Sequence, residues 1–136
     1  MNVAILFGRK NSKSIKNKNI LKIFSKPMFM YPIHAAKKVK EIDKIYVSSD
    51  SKKILSAAQK KKCIPIQRPK NLCNDKALLE DAIQHAVNYC QKQNNFKIKN
   101  FIILLCNSIC VRSDDIKKGI KILKNNKTID TVTTVS

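Results

Sequence analysis

Apolar residues fall into two kinds of run along this chain. Val3 to Phe7 and Phe101 to Leu105 are continuous apolar blocks without alternation, the pattern of strands buried on both faces of a parallel sheet. Lys44 to Ser48 reads as a further strand. Cys63 to Ile66 reads as a short one, which Pro65 assigns to the sheet's periphery. Between them the spacing turns helical. Met30, Ile33, His34 and Val39 recur at helical intervals through about Lys40, and Pro32 is compatible with the first turn. A helix carrying Ile54, Leu55, Ala57 and Ala58 finds N-caps in Ser49, Asp50 and Ser51 and should end near Lys62. From Ala77, one face collects Leu78, Leu79, Ala82, Ile83, Ala86, Val87 and Cys90, all expected in the core. Ser113 is expected to cap a helix with Ile116, Ile120 and Leu123, and Asp130 to Val135 is expected to be a last strand. Ile20 to Phe24 is a short apolar stretch, after which Lys26-Pro27 marks a turn or helix start.

Strands alternating with helices predict an α/β protein with a parallel sheet and right-handed crossovers. Ligands in such sheets bind at the carboxyl ends of the strands. The loops after Phe7, Ser48, Ile66 and Leu105 then share one rim, which gathers Arg9, Lys18, Asp50, Arg68 and Asn107 around one crevice.

The 136 residues make one domain, and no stretch approaches the roughly 20 apolar residues of a membrane span. The N-terminus lacks the layout of a secretory signal, and the five cysteines contain no CxxC pair. A cytoplasmic protein with reduced thiols and no membrane partner is the expectation. The formal charge of +19 invites a nucleic-acid reading. Arginine, however, occurs only at Arg9, Arg68 and Arg112, and no aromatic cluster accompanies the lysines, so no specific nucleic-acid partner is expected.

The chemistry concentrates in Phe7 to Asn19, FGRKNSKSIKNKN, where a buried strand opens into a basic loop. Such a loop can hold a phosphate with cations and backbone N–H groups. Its order resembles the N-terminal signature of the acylneuraminate cytidylyltransferase (CMP-sugar synthetase) family, Arg-Gly-Gly-Ser-Lys-Gly-Ile-x-x-Lys-Asn. Arg9, Ser12, Lys13, Ile15, Lys18 and Asn19 stand in register with it. Lys10, Asn11 and Ser14 replace the glycines, and Asn11 is expected to keep the turn because Asn tolerates positive φ. Lys26-Pro27-Met28, Val47-Ser48-Ser49-Asp50, Arg68-Pro69 with Asp75, and Leu104 to Arg112 resemble later family segments. Lys76, Leu78 and Leu79 stand where the family has hydroxyl residues near the nucleotide, and Cys106 replaces a glutamine that contacts the sugar.

The resemblance implies a three-layer, Rossmann-like fold of the nucleotide-diphospho-sugar transferase type, with residues 1–136 as its nucleotide-binding domain and the C-terminal part absent. It implies transfer of CMP from CTP to an acidic keto-sugar, with release of pyrophosphate. Lys18 and Arg9 are the implied catalytic cations. Gly8, Arg9, Lys10, Asn11, Ser12 and Lys13 are implied to cradle the triphosphate, Asn19 to meet the ribose and Arg68 to help read cytosine. Cys106 and Asn107 fall in the sugar-binding segment. Mg2+ is implied, with ligands outside this chain, as is a homodimer for full-length members. Asp50 and Asp75 are read as caps or loop fasteners, and Arg112, Asp114 and Asp115 as serving the start of the last helix. A nucleotide-binding fragment without turnover is the alternative, followed by a basic nucleic-acid-binding module.

Overall fold

The computed structural model describes residues 1–11, 15 and 17–135. The elements run β1 (Asn2–Gly8), a 3-10 turn (Lys18–Ile20), β2 (Lys22–Ile23), β3 (Lys26–Pro27), α1 (Met30–Lys37), β4 (Lys44–Ser49), α2 (Lys52–Lys60), β5 (Ile64–Gln67), a second 3-10 turn (Lys70–Leu72), α3 (Leu79–Gln93), β6 (Asn100–Leu105) and α4 (Ser113–Asn125). The main sheet is parallel with strand order β5-β4-β1-β6. The most apolar strand, β1, lies inside it, and the proline-bearing β5 lies at an edge, where a missing N–H is tolerated. Chain order reverses between β1 and β6, which makes the carboxyl ends of these two strands the topological switch point.

Alternate residues of each strand feed two cores. Ala4, Leu6, Val47, Leu104 and Cys106 face α1, α2 and α4, whose Ile33, Ala36, Ile54, Ala58 and Ile116 complete one cluster. Val3, Ile5, Phe7, Tyr46 and Ile66 face α3 through Ala82, Ala86 and Cys90. Helices on both faces give the expected three layers. Val3, Ile5 and Leu6 are fully buried, and each such aliphatic side chain contributes about 1.5–3 kcal/mol by leaving water.

Several local expectations are corrected. Leu78 and Leu79 are 61% and 43% exposed rather than core. Helix α3 begins at Leu79, so Leu78 is extended at its N-cap, and neither leucine joins the core cluster beneath the helix. The residues that seat α3 are the small Ala82, Ala86 and Cys90, while Ile83 and Val87 pack half-buried at the flank. Asp130 to Val135 forms no strand, since β-branched residues need a neighbouring strand to pair with and none adjoins them among the described residues. Ser113 is the first residue of α4 and not its cap. Arg112 holds the N-cap position and pairs through Nε and Nη2 with both carboxylate oxygens of Asp115 at 3.1 and 3.2 Å. Asp114 and Asp115 do occupy the first turn, where carboxylates favour the helix dipole. Lys22 to Pro27 folds into a small hairpin whose turn puts Phe24 and Ser25 at φ 47° and 67°. Ser51 is the cap that α2 uses, its Oγ accepting from the Ile54 N–H at 3.4 Å. Pro32 falls in the first turn of α1.

Candidate active site

All four parallel strands deliver their carboxyl ends to one rim. β1 ends at Gly8, whose missing side chain lets Cys106, just past β6, pack against it; Cys106 Cβ lies 3.1 Å from where a Gly8 Cβ would stand. Cys106 is 2% exposed and donates its N–H to Phe7 O at 2.9 Å. Burial pushes its thiol up to about 12, so it stays protonated and apolar in character. Asn107 is exposed beyond it and turns the chain, its C=O accepting from Ile109 N–H at 3.0 Å.

The chain then leaves β1 through a peptide held from both sides. The Arg9 C=O accepts from Asn19 Nδ2 at 2.8 Å, and the Lys10 N–H donates to Asp50 Oδ1 at 2.7 Å. Arg9 reaches across the rim, donating through Nη1 to Asn74 O at 3.3 Å and lying 3.7 Å from Asp75 Oδ1. Lys10 and Asn11 are exposed. Ser12 and Lys13 lie outside the described residues. Among the described residues of this loop the left-handed one is Asn17 (φ 56°, ψ 29°), not Asn11, and it precedes the 3-10 turn that Lys18 opens. Lys18 is half-buried and its C=O caps that turn by accepting from Leu21 N–H. A shallow cleft lined by Arg9, Lys10, Asn17, Asn19 and Ser51 lies between the β1 loop and α2. A larger hollow lined by Lys37, Asp43, Lys44 and Ile64 is at the opposite, N-terminal end of the strands, away from these groups.

Arg68 is 4% exposed. Its Nη2 donates to Ser48 O at 3.0 Å, its Nε lies 3.4 Å from Ser48 Oγ, and its guanidinium sits 5.8 Å from the centre of the Phe7 ring. Burial draws its pKa down from the usual guanidinium range, and neighbouring Cys73 and Asp50 oppose that pull. Among the described residues no carboxylate is within ion-pair distance of it. Ser48, Ser49 and Asp50 thus form the polar end of a buried strand. Ser49 Oγ accepts from Ser51 N–H, and burial, followed by Asp50, raises the Cys73 thiol. The role of Ser48 as the seat of Arg68 escapes a motif reading, although two serines closing an apolar strand are a signal for it.

The rim therefore brings together Gly8, Arg9, Lys10, Asn19, Asp50, Arg68 and Cys106, with Lys18 on the same loop. Fixed cations and amides of this kind stabilise charge that develops on phosphoryl oxygens. They do not fit a magnesium site, which takes several oxygen ligands. Asp50 is engaged by Lys10 N–H and Asp75 faces Arg9, and no group of three or more His, Cys, Asp or Glu side chains converges among the described residues.

Known proteins resemble this chain in sequence and in fold. The sequence profile of the cytidylyltransferase family covers residues 3–136. A pseudaminic acid cytidylyltransferase and UDP-2,4-diacetamido-2,4,6-trideoxy-beta-L-altropyranose hydrolase of Helicobacter pylori is 31% identical over 98% of this chain and 26% of its own length. An N-acylneuraminate cytidylyltransferase of Escherichia coli is 31% identical over 71% of this chain and 23% of its own. The solved structure of a CMP:2-keto-3-deoxy-manno-octonic acid synthetase complexed with CTP superposes with a TM-score of 0.78 at 18% identity, over 94% of this chain and 49% of that one. The chain thus spans about a quarter of the length of these curated relatives. With the family profile matched across nearly its whole length, the chain belongs to the cytidylyltransferase family of nucleotidyltransferases.

Proposed function

We propose that this chain transfers the cytidylyl group of CTP to an acidic keto-sugar, a nonulosonic acid of the acylneuraminate or pseudaminate class. A sugar hydroxyl oxygen attacks the α-phosphorus and the bond to the bridging oxygen of the β-phosphate breaks. Pyrophosphate leaves with that electron pair, and the hydroxyl proton passes to solvent. The observation that carries the reading is the basic loop from Arg9 to Asn19 leaving the central strand at the switch point, its first peptide fixed on both sides.

In this reading Lys18 neutralises charge on the transferred phosphate, and Arg9 with residues 10–13 holds the triphosphate. Asn19 commits its amide nitrogen to Arg9 O and offers its Oδ1 to a ribose hydroxyl. Buried Arg68 backs the cytosine position. Cys106 is a packing floor beneath Gly8, and Asn107 is the exposed group on the acceptor side. Mg2+ accompanies CTP from solution, and residues 1–136 act as the nucleotide-binding domain of a cytoplasmic enzyme.

A second reading, nucleotide binding without turnover, is favoured by one observation: the rim carboxylates are already engaged by protein groups. Thermal stabilisation by CTP in preference to ATP supports both readings, and its absence overturns both. Pyrophosphate release with CTP, Mg2+ and a panel of nonulosonic acids then separates them. Turnover that falls less than about tenfold in Lys18→Ala, equivalent to ~1.4 kcal/mol, removes the role given to Lys18.

A further inference from the structure

We propose that Asp50 is a positioning residue for the phosphate-binding loop, holding the Arg9–Lys10 peptide against Asn19 without itself touching the nucleotide. This rests on the CTP-binding reading above and deepens it. Three observations carry it. Asp50 Oδ1 accepts from the Lys10 N–H at 2.7 Å, and Asn19 Nδ2 donates to the Arg9 C=O at 2.8 Å, so two side chains far apart in sequence grip the two polar ends of one peptide group. That peptide is the first after β1, between Arg9, which reaches Asn74 and Asp75 across the rim, and the loop that returns to Lys18. Asp50 is itself held in place, because it is the single residue between the buried end of β4 at Ser49 and Ser51, the buried cap of α2.

A peptide free at both ends can rotate about its flanking ψ and φ angles. Such a rotation redirects the Arg9 side chain and every N–H that follows. Gripping the C=O and the N–H together removes that freedom before the ligand arrives, and with it an ordering cost of binding. Lys10 N–H is accordingly occupied by a protein carboxylate and is not one of the donors to the triphosphate. Asp50 also lies near the buried Arg68 guanidinium and eases its charge.

The test compares wild type, Asp50→Ala and Asp50→Asn by CTP titration, with hydrogen exchange read at the Lys10 amide. Asn keeps an oxygen that can accept from Lys10 N–H, whereas Ala does not. A hydrogen bond to a charged group predicts a CTP dissociation constant raised about tenfold or more in Asp50→Ala. In Asp50→Asn the rise should stay below about threefold, with Lys10 exchange fast in the first variant and slow in the second. Equal weakening in both variants would mean that charge, and not the peptide grip, is what matters, and would overturn the proposal. So would unchanged CTP affinity in a folded Asp50→Ala. If Asp50→Ala does not fold, fast Lys10 exchange in folded wild type refutes the grip and slow exchange retained in Asp50→Asn supports it. Wild type that fails to bind CTP sinks the proposed function instead, and the exchange measurement still decides whether the peptide is held.

Discussion

Gly8 and Cys106 pack so closely that a methyl group on Gly8 would overlap Cys106 Sγ, while Cys106 Cβ stands only 3.1 Å away. Cys106 has little room to withdraw, since it is buried as part of the core cluster. Gly8→Ala should therefore destabilise the fold by roughly 1–3 kcal/mol through overpacking. Cys106→Ala in the same chain should recover part of that loss, because it deletes the sulfur but leaves Cβ. Denaturant midpoints of the two single variants and the double variant check this; additive losses would mean that the two sites do not share the space.

The thiols should sort themselves by burial. Desolvation pushes Cys106 up to about 12 and Cys90 up to about 11, whereas Cys110 is exposed. Only the thiolate attacks an electrophile, so at pH 8 in native protein Cys110 should be labelled first. Cys90 and Cys106 should react only on the timescale of unfolding. Mass mapping after a short pulse with an alkylating agent reads the order, and early modification of Cys106 would contradict its placement under Gly8.

His34 gives stability a pH dependence of defined sign. Its pKa is held below 6.5, first by desolvation and then by Lys26, Lys61, Lys37 and Lys38. Lys26 Nζ sits 3.1 Å from Nδ1, and since an ammonium can only donate, the neutral ring accepts there. The unfolded chain then binds a proton more readily than the folded one. The contribution of His34 is fully present above pH 6.5 and is lost as pH falls through the lowered folded value. His34→Gln should flatten the slope of unfolding free energy between pH 7 and 5. A slope unchanged by that substitution would rule His34 out as its source.

On α3, the small residues should matter more than the large ones. Leu79 is 43% exposed while Ala86 is fully buried against the sheet. Leu79→Ser should change stability by about 0.5 kcal/mol or less, as at other surface sites. Ala86→Leu should cost roughly 1–3 kcal/mol by lifting the helix. Thermal melts of both variants test this, and the reverse ranking would mean that the helix is seated a turn differently.

The inner strand β1 and its neighbour β6 are legible because they carry unbroken apolar runs. Pro65 marks β5 as an edge strand, and the rule that ligands meet strand ends gathers Arg9, Asp50 and Arg68 from the sequence alone. Other parts depend on tertiary partners. Leu78 and Leu79 continue the helical spacing of Ala82 and Ala86, yet periodicity does not say where the helix begins or where the sheet beneath it stops. The Asp130 to Val135 run has strand composition without a strand to join. The hairpin from Lys22 to Pro27 turns on Phe24 and Ser25, neither a customary left-handed residue, so no local signal announces it. Within the candidate site, charge and signature spacing were visible. The grip on the Arg9–Lys10 peptide was not, because it joins atoms contributed by three separated segments.

The margin of the sheet has a colloidal consequence. β6 has β1 on one side and no strand on the other among the described residues, and Ile103 and Leu105 are each 37% exposed along it. An open strand edge flanked by apolar side chains is a template for pairing with another copy. The chain's charge of +19 opposes that encounter. The repulsion reaches about 30 Å at 0.01 M salt and only about 8 Å at 0.15 M. Ionic strength rather than concentration alone should therefore decide whether solutions stay clear, with dilute buffer the gentler condition and added salt the route to turbidity.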